Sequence, residues 1–564
     1  MHNRVVRVLP LLVLLSCGGP QPDTPPTEDA RPPGDTLVIA EQTDIGNLMS
    51  VVSESEADGA INENLAYSLV DIEFDCSMKK LPGLATDWAW SNDGTVLKMT
   101  LRDDITFQDG TKVTARDIEF TYDLVADPLV ASPRVSYIER MVPGKHPLVI
   151  DDTHIEWHFT EAYDRDTQVA HASALALLPK HKLESADRAT LRGHAYSKNP
   201  LASGPFKLAL YEPNTRIVLE PNENFTGPEE DRAKLDKVIF KIIPEYSTRL
   251  IELQNGDVDF MRGITVADAD LLRKNNPEVR LVRRGWRSMD YVAWNLNNPM
   301  FQDQRVRRAL AMSVNIDDII AKVLTSETGE SYARRAVGTI TPALCGVHND
   351  DITPLPHDVE KAKALFAEAG WEDHDGDGFL DKDGERFEFT LTTNTGNKRR
   401  ADVSILLQAH LERVGVKMNI EKQESNTFFE NLRQKDYEAA LGGWSAGLFV
   451  DPATLWHSDV ECGPDAAADC KPRKYEFNFT GYNNPRADEL MQQGMGTPIP
   501  MEAAPVWKEM QQVIYDDQPY LFLWWMDEIV GIHERVEDYE IDVLSALNHL
   551  NRWRVPEEKI KYRR

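Results

Sequence analysis

Gly443-Trp444-Ser445-Ala446-Gly447 fits G-x-S-x-G, in which a serine stands on a sharp strand-to-helix turn and attacks an acyl carbon. That chemistry needs a base beside the hydroxyl and donors facing the developing oxyanion. The preceding residues Tyr437 to Gly443 read as a strand. Pro452, however, falls seven residues past Ser445 and leaves room for under two helical turns. No HGGG-type oxyanion segment lies upstream. Asp527 and His533 are candidate partners downstream, but such residues are scattered along an acidic chain. The context speaks against a nucleophile. A serine hydrolase using Ser445 stays as the alternative from another class.

Other residues could hold ions or ligands. Asp373, Asp375 and Asp377 alternate ahead of Gly378, as at the start of a calcium loop, with Asp381 a further carboxylate. The twelfth position is Gly384, not Glu, and a strand pattern follows. The reading is a structural turn, with calcium as the alternative and no cofactor expected. Arg399 and Arg400 stand between a strand and a helix, where they either meet a ligand carboxylate or pair with nearby acids. Cys462 and Cys470 flank a loop of small residues and form a candidate disulfide, worth about 2–3 kcal/mol in an oxidising compartment. Cys76 and Cys345 give no pairing signal. Trp524 and Trp525 fall in a strand pattern, where alternation sends one to the core and the other to a cleft.

These groups must be carried by a long body. The chain has 564 residues and a formal net charge of −30, which excludes nucleic acid and anionic head groups as natural partners. Arg4 and Arg7 precede a short apolar run, Val8 to Leu15, too short for a permanent span. The run ends at Leu14-Leu15-Ser16-Cys17, which resembles the lipobox of bacterial lipoproteins, so residues 1–17 are read as a signal with Cys17 lipidated. Residues 18–35, rich in Pro, Gly and acid, are read as a disordered stalk reaching roughly 50 Å if extended.

Beyond the stalk, strands alternate with helices, as in an α/β chain with mixed sheets. Asp93-Gly94 and Asp109-Gly110 mark the turns of a β-meander. Thr114 with Asp117 forms a capping box for a helix from Ala115 to about Ala126, ahead of Pro128. Pro213-Asn214 turns between two strands. The stretch 247–260 reads as a capped helix, a glycine turn and a short strand, and Asp358 and Gly370 bracket another helix.

The ordered motifs resemble the bacterial extracellular solute-binding proteins of family 5, the oligopeptide-type receptors of ABC importers. The carrying stretches are "LPGLATDWAWSNDGTVLKMTLRDDITFQDGTKVTARDIEFTYD", "SGPFKL", "LQNGDVDF", "WNLNNPMFQDQRVRRALAMSVNIDDII", "DVEKAKALFAEAGW", "NFTGYNNPRADELMQQG" and "DDQPYLFLWW". The resemblance implies a type II periplasmic-binding fold, α/β, with two lobes and an additional inserted domain. Lobe I would comprise 36–80, 200–285 and 520–564, the inserted domain 81–199, and lobe II 286–519. It implies no bond making or breaking, a monomer, and delivery of an oligopeptide-like solute to permease subunits from the periplasm or cell envelope. Gly443, Trp444, Ser445, Ala446 and Gly447 would then form a cleft wall, with Asp451, Arg400, Tyr67 and Tyr137 as further ligand-binding candidates. Peptide-binding relatives often carry an aspartate where this chain has Gly447, so an oligosaccharide ligand is the alternative within the family. Arg307, Arg308 and Asn315 read as scaffold.

Overall fold

Local signals set several elements before any packing is considered. The structure, a computed structural model, describes residues 35–53, 55–72, 79–145, 147–344, 346–445, 447, 452–458, 477–497, 500–541, 545–547 and 549–561. The helix Ala115–Ala126 starts where its capping box places it: the Asp117 carboxylate accepts from Thr114 N at 2.9 Å. The helix Val359–Glu368 is capped by Asp358 and ends ahead of Gly370, whose φ is 86°. Strands Phe206–Glu212 and Arg216–Pro221 pair around Asn214, at φ 55°.

Two expectations are corrected. Asp93-Gly94 does join paired strands, Ala85–Trp90 and Val96–Leu101. Asp109-Gly110 closes only a bridge between Thr106 and Lys112, because the helix cap at Thr114 follows too soon for another strand. The helix near Ser247 runs Tyr246–Asn255 and has no side-chain cap at its start.

One 11-stranded sheet organises the site. Across it lie Lys417–Gln423, Glu388–Asn394, Ala439–Ser445, Val279–Trp294, Tyr520–His533, Phe260–Met261, Thr36–Glu41, Lys237–Ile242, Arg216–Pro221 and Phe206–Glu212, with Ala333–Arg335 added on Tyr520–His533. Val279–Trp294 and Tyr520–His533 pair antiparallel along most of their 16 and 14 residues. The half of the sheet that contains Thr36–Glu41 hangs on Gly531 and Ile532 through Phe260–Met261. The other half hangs on Ser288–Trp294 through Ala439–Ser445. Two strands therefore carry the chain between the halves.

A separate sheet of Ala85–Trp90, Val96–Leu101, His154–His158 and Leu148–Val149 covers its own apolar cluster, including Ile118, Tyr122, Trp157 and Leu183. Met49, Val51 and Leu69 join that cluster from outside residues 81–199. Trp524 and Trp525 correct the expectation of one cleft-facing indole. Alternation does send them to opposite faces, but both faces are covered, and each is fully buried in a different core cluster.

Candidate functional site

A cleft of about 1080 Å³ opens where the sheet halves meet. Gly443, Trp444 and Ser445 line one wall, at the end of Ala439–Ser445. That strand pairs with Val279–Trp294 over its whole length. On its other side it pairs with Glu388–Asn394 only through Ala439, Ala440 and Leu441. From Gly442 to Ser445 that edge has no strand partner among the described residues. The two glycines are required by what crosses them. A methyl at Gly443 would sit 2.3 Å from Arg400 Nη2 and 2.9 Å from the Met289 carbonyl oxygen, and one at Gly442 2.9 Å from the Tyr291 hydroxyl. Trp444 Nε1 donates to Tyr520 Oη at 3.3 Å, and its ring packs against Phe479 and Phe477. Trp444, Phe477 and Phe479 give this wall an aromatic surface.

Beside it, Arg399 and Arg400 project from the first turn of Lys398–Glu412 onto Asp290. Arg399 Nε donates to Asp290 Oδ2 at 2.8 Å, and Arg400 Nε to Oδ1 at 3.2 Å. Arg400 Nη1 also donates to Asn394 Oδ1 at 2.9 Å. Asp290 is fully buried. Burial alone would raise its pKa, but the two guanidinium charges outweigh burial and hold it below the usual carboxylate range. Two cations against one anion leave a positive surplus on the cleft wall.

The opposite wall is built on Thr36–Glu41 and the loops after it. Glu41 accepts from Arg262 at 3.0 Å. Asp44 accepts from Tyr211 Oη at 2.8 Å and Asn214 N at 2.7 Å. The walls touch where Gln42 Nε2 donates to the Thr395 carbonyl at 3.4 Å. Gly396, at φ 80°, permits that approach, since a methyl there would lie 2.7 Å from Gln42 Nε2.

Ser445 pairs across the sheet with Ser288, and the next described helix is Ala453–Trp456. Among the described residues no helix directly follows Ser445, where the nucleophile elbow needs one. Its supposed partners are engaged elsewhere: Asp527 holds Arg283 and Trp286 N, and His533 Nδ1 accepts from Arg535 N. Tyr67 and Tyr137 do not line the cleft. Tyr67 Oη donates to Asp231 at 3.3 Å, and burial, then the Asp231 charge, push its pKa up to about 12. Tyr137 stacks on His171 at 4.7 Å beside the smaller sheet's core. Gly447 is described and exposed, whereas Ala446, Asp451, Cys17, Cys76, Cys345, Cys462 and Cys470 lie outside the described residues. Arg307 donates to the Phe301, Gln302, Asp517 and Gln518 carbonyls, Arg308 Nη1 to the Asp516 carbonyl, and Asn315 caps Ile316–Val323.

Asp373, Asp375 and Asp377 bring carboxylate oxygens within 4.8 Å of one another. Those carboxylates accept from the turn's own amides at Gly376, Asp377, Gly378 and Phe379, and Asp377 also pairs with Arg386. Asp381 turns to His374, at 3.0 Å.

Asp290, Gln42, Arg262, Phe477 and Phe479 went unread in the sequence. Only Asp290 carried a signal, a single charge inside the apolar strand "SMDYVAW".

Residues 80–465 match the model of the bacterial extracellular solute-binding proteins, family 5 middle region. The oligopeptide-binding protein AppA of Bacillus subtilis is 28% identical over 98% of each chain. Its structure in complex with a nonapeptide superposes with a TM-score of 0.82 at 27% identity, covering 93% of this chain and all of that one, which matches the two-lobed periplasmic-binding architecture. The glutathione-binding protein GsiB of Escherichia coli K12 is 23% identical over 87% of this chain and 90% of its own length. Among the described residues no helix is long and apolar enough to cross a membrane. The chain is a solute-binding protein and not an enzyme, and it belongs to the bacterial extracellular solute-binding proteins, family 5.

Proposed function

We propose that this chain is the substrate-binding lipoprotein of an ABC importer, which captures oligopeptide-like solutes between two lobes and delivers them to a permease. The open strand edge from Gly442 to Ser445 on the cleft wall carries the reading. An extended peptide can add there as a further strand, so main chain is recognised while side chains vary. The Arg399–Asp290–Arg400 surplus suits the solute's carboxylate, and the aromatic wall at Trp444 suits an apolar side chain. The cleft exceeds the ordinary range of small-molecule pockets, in keeping with a solute of several residues. AppA's nonapeptide complex is consistent with this.

Seven of the twelve tryptophans lend the oligosaccharide alternative nothing, because Trp157, Trp294, Trp456, Trp507, Trp524, Trp525 and Trp553 are spent on cores. Lipidation at Cys17, a stalk over 18–34 in place of 18–35 because Asp35 is buried and paired with Arg535, the Cys462–Cys470 disulfide, a monomeric state and the lobe limits 36–80, 200–285 and 520–564 against 286–519, with 81–199 inserted, complete the proposal. Native mass spectrometry of the purified protein tests it. Carried-over peptide masses are expected, and a ladder spaced by hexose units would overturn the peptide reading.

A further inference from the structure

The smaller sheet leaves one edge uncovered. Ala85–Trp90 pairs with Val96–Leu101 and with no further strand of that sheet. Among the described residues, no backbone group from Trp88 to Trp90 bonds beyond that hairpin. A cavity of about 440 Å³ runs beside this edge, and Trp88, Ala89 and Trp90 all line it. Successive side chains of a strand point to opposite faces, so three in a row share a cavity only where it follows the strand's edge. The facing wall is the start of the helix Arg165–Ser173, through Arg165, Asp166 and Val169, with Lys80 beside it.

Trp88 and Trp90 stand on one face of the strand, about 7 Å apart along it. Both are half-buried, and neither indole N–H finds an acceptor among the described residues. Lys80 pairs with Asp166, so those two charges cancel. Arg165 is exposed, lies over the Trp90 ring at 5.6 Å and has no acidic partner among the described residues. The cavity wall therefore carries one unmatched positive charge, on a chain whose net charge is −30. An unmatched cation calls for a carboxylate. Free N–H and C=O groups along a strand edge call for an extended main chain. Two flat rings with unused N–H groups call for apolar side chains flanked by carbonyls. The volume falls in the range of small-molecule sites, so the ligand is a short segment and not a folded surface.

We propose that this groove is a second peptide-binding site, which takes a short, free acidic peptide as an added strand on Trp88–Trp90 with its side-chain carboxylate on Arg165. No residue lining the groove also lines the cleft. The edge reads main chain, Arg165 reads charge, and the indoles hold the neighbouring side chains. A cleft that binds nothing would leave this site intact.

Fluorine NMR of the full-length protein carrying 5-fluorotryptophan tests it. Trp88→Phe and Trp90→Phe assign the two groove signals, and Trp444→Phe assigns the cleft. The probe is acetyl-Val-Glu-Val-amide, whose blocked ends leave the Glu carboxylate as its one charge. Both groove signals should shift and saturate at millimolar probe. Replacing Glu by Gln in the probe, or Arg165→Gln in the protein, should weaken binding about fivefold, the upper end for an exposed ion pair. Arg165→Lys should keep most of it. The Glu nitrogen and the next valine nitrogen alternate in direction, so one of them faces the edge. Methylating that one should abolish the shift, and methylating the other should not. Groove signals that stay put overturn the proposal whatever Trp444 does, as does equal binding of the Glu and Gln probes. Groove signals that move with protein concentration alone would place a second copy on the edge and overturn it too. Movement at Trp444 alone strikes only this site and leaves the receptor reading standing.

Discussion

Replacing Asp290 by asparagine probes the charge arrangement on which the cleft wall depends. The carboxylate is 0% exposed and faces two guanidinium groups whose side chains are 20% and 13% exposed. Asparagine keeps the shape but removes the charge, and its amide group turns a donor toward a donor. Breaking one partner of a buried ion pair costs about 3–5 kcal/mol. The arginines retain some access to cleft water, so the lower end applies, about 3 kcal/mol, or a fall in Tm of roughly 3 °C for a body of this size.

The sign with pH is fixed by the depressed pKa. A carboxyl held below its unfolded value contributes stability above that value and loses it as pH falls through the folded one. The gap between wild type and Asp290→Asn should therefore be full at pH 7 and shrink below about pH 4. Thermal melts over pH 3–8 measure it. Adding Arg399→Gln removes one of the stranded cations, so the double variant should be less destabilised than the sum of the singles by about 1–2 kcal/mol. Equal melts for wild type and Asp290→Asn at pH 7, or strict additivity of the pair, would refute the reasoning.

Gly443→Ala should collide with Arg400 and the Met289 carbonyl and destabilise by about 1–3 kcal/mol, with weakened solute binding by calorimetry; unchanged melting and binding would count against the contact. Gly396→Val should hold the walls apart, so scattering with a bound peptide should give a larger radius of gyration than wild type. Adding Gln42→Ala should restore part of the compaction. Asp164, buried as the N-cap of Arg165–Ser173, has its pKa raised to about 6 by burial. Its folded form binds a proton that the unfolded form has lost between about pH 4 and 6, so stability falls as pH rises through that window. Asp164→Asn keeps the cap and should stabilise by on the order of 2 kcal/mol at pH 7.5 and by almost nothing at pH 4, read by melts at both.

What could be read from the sequence follows the range of the forces involved. The helix Ala115–Ala126 is bounded by Thr114, Asp117 and Pro128, all within a few residues of it, so its limits were visible. Arg399 and Arg400 were visible as candidates because cations beside a helix start are locally conspicuous. Their partner was not, since Asp290 lies 109 residues before Arg399 and reaches it only through sheet register. Gln42 and Thr395, 353 residues apart, had no local mark at all. Trp524 and Trp525 show the complementary failure: alternation was correct, but the sequence does not say that both faces of that sheet are covered.

The stretch around Ser445 unites these cases. Its Gly443 matches a catalytic pattern because a strained elbow and a crowded strand both require a missing side chain. In this fold the crowding at Gly443 comes from Arg400, Asp290 and the Met289 carbonyl, supplied by distant segments, and the serine ends an edge that has no strand partner from Gly442 onward among the described residues. A local pattern records that backbone needs room. Which neighbour takes the room decides whether the site breaks a bond or only holds a chain.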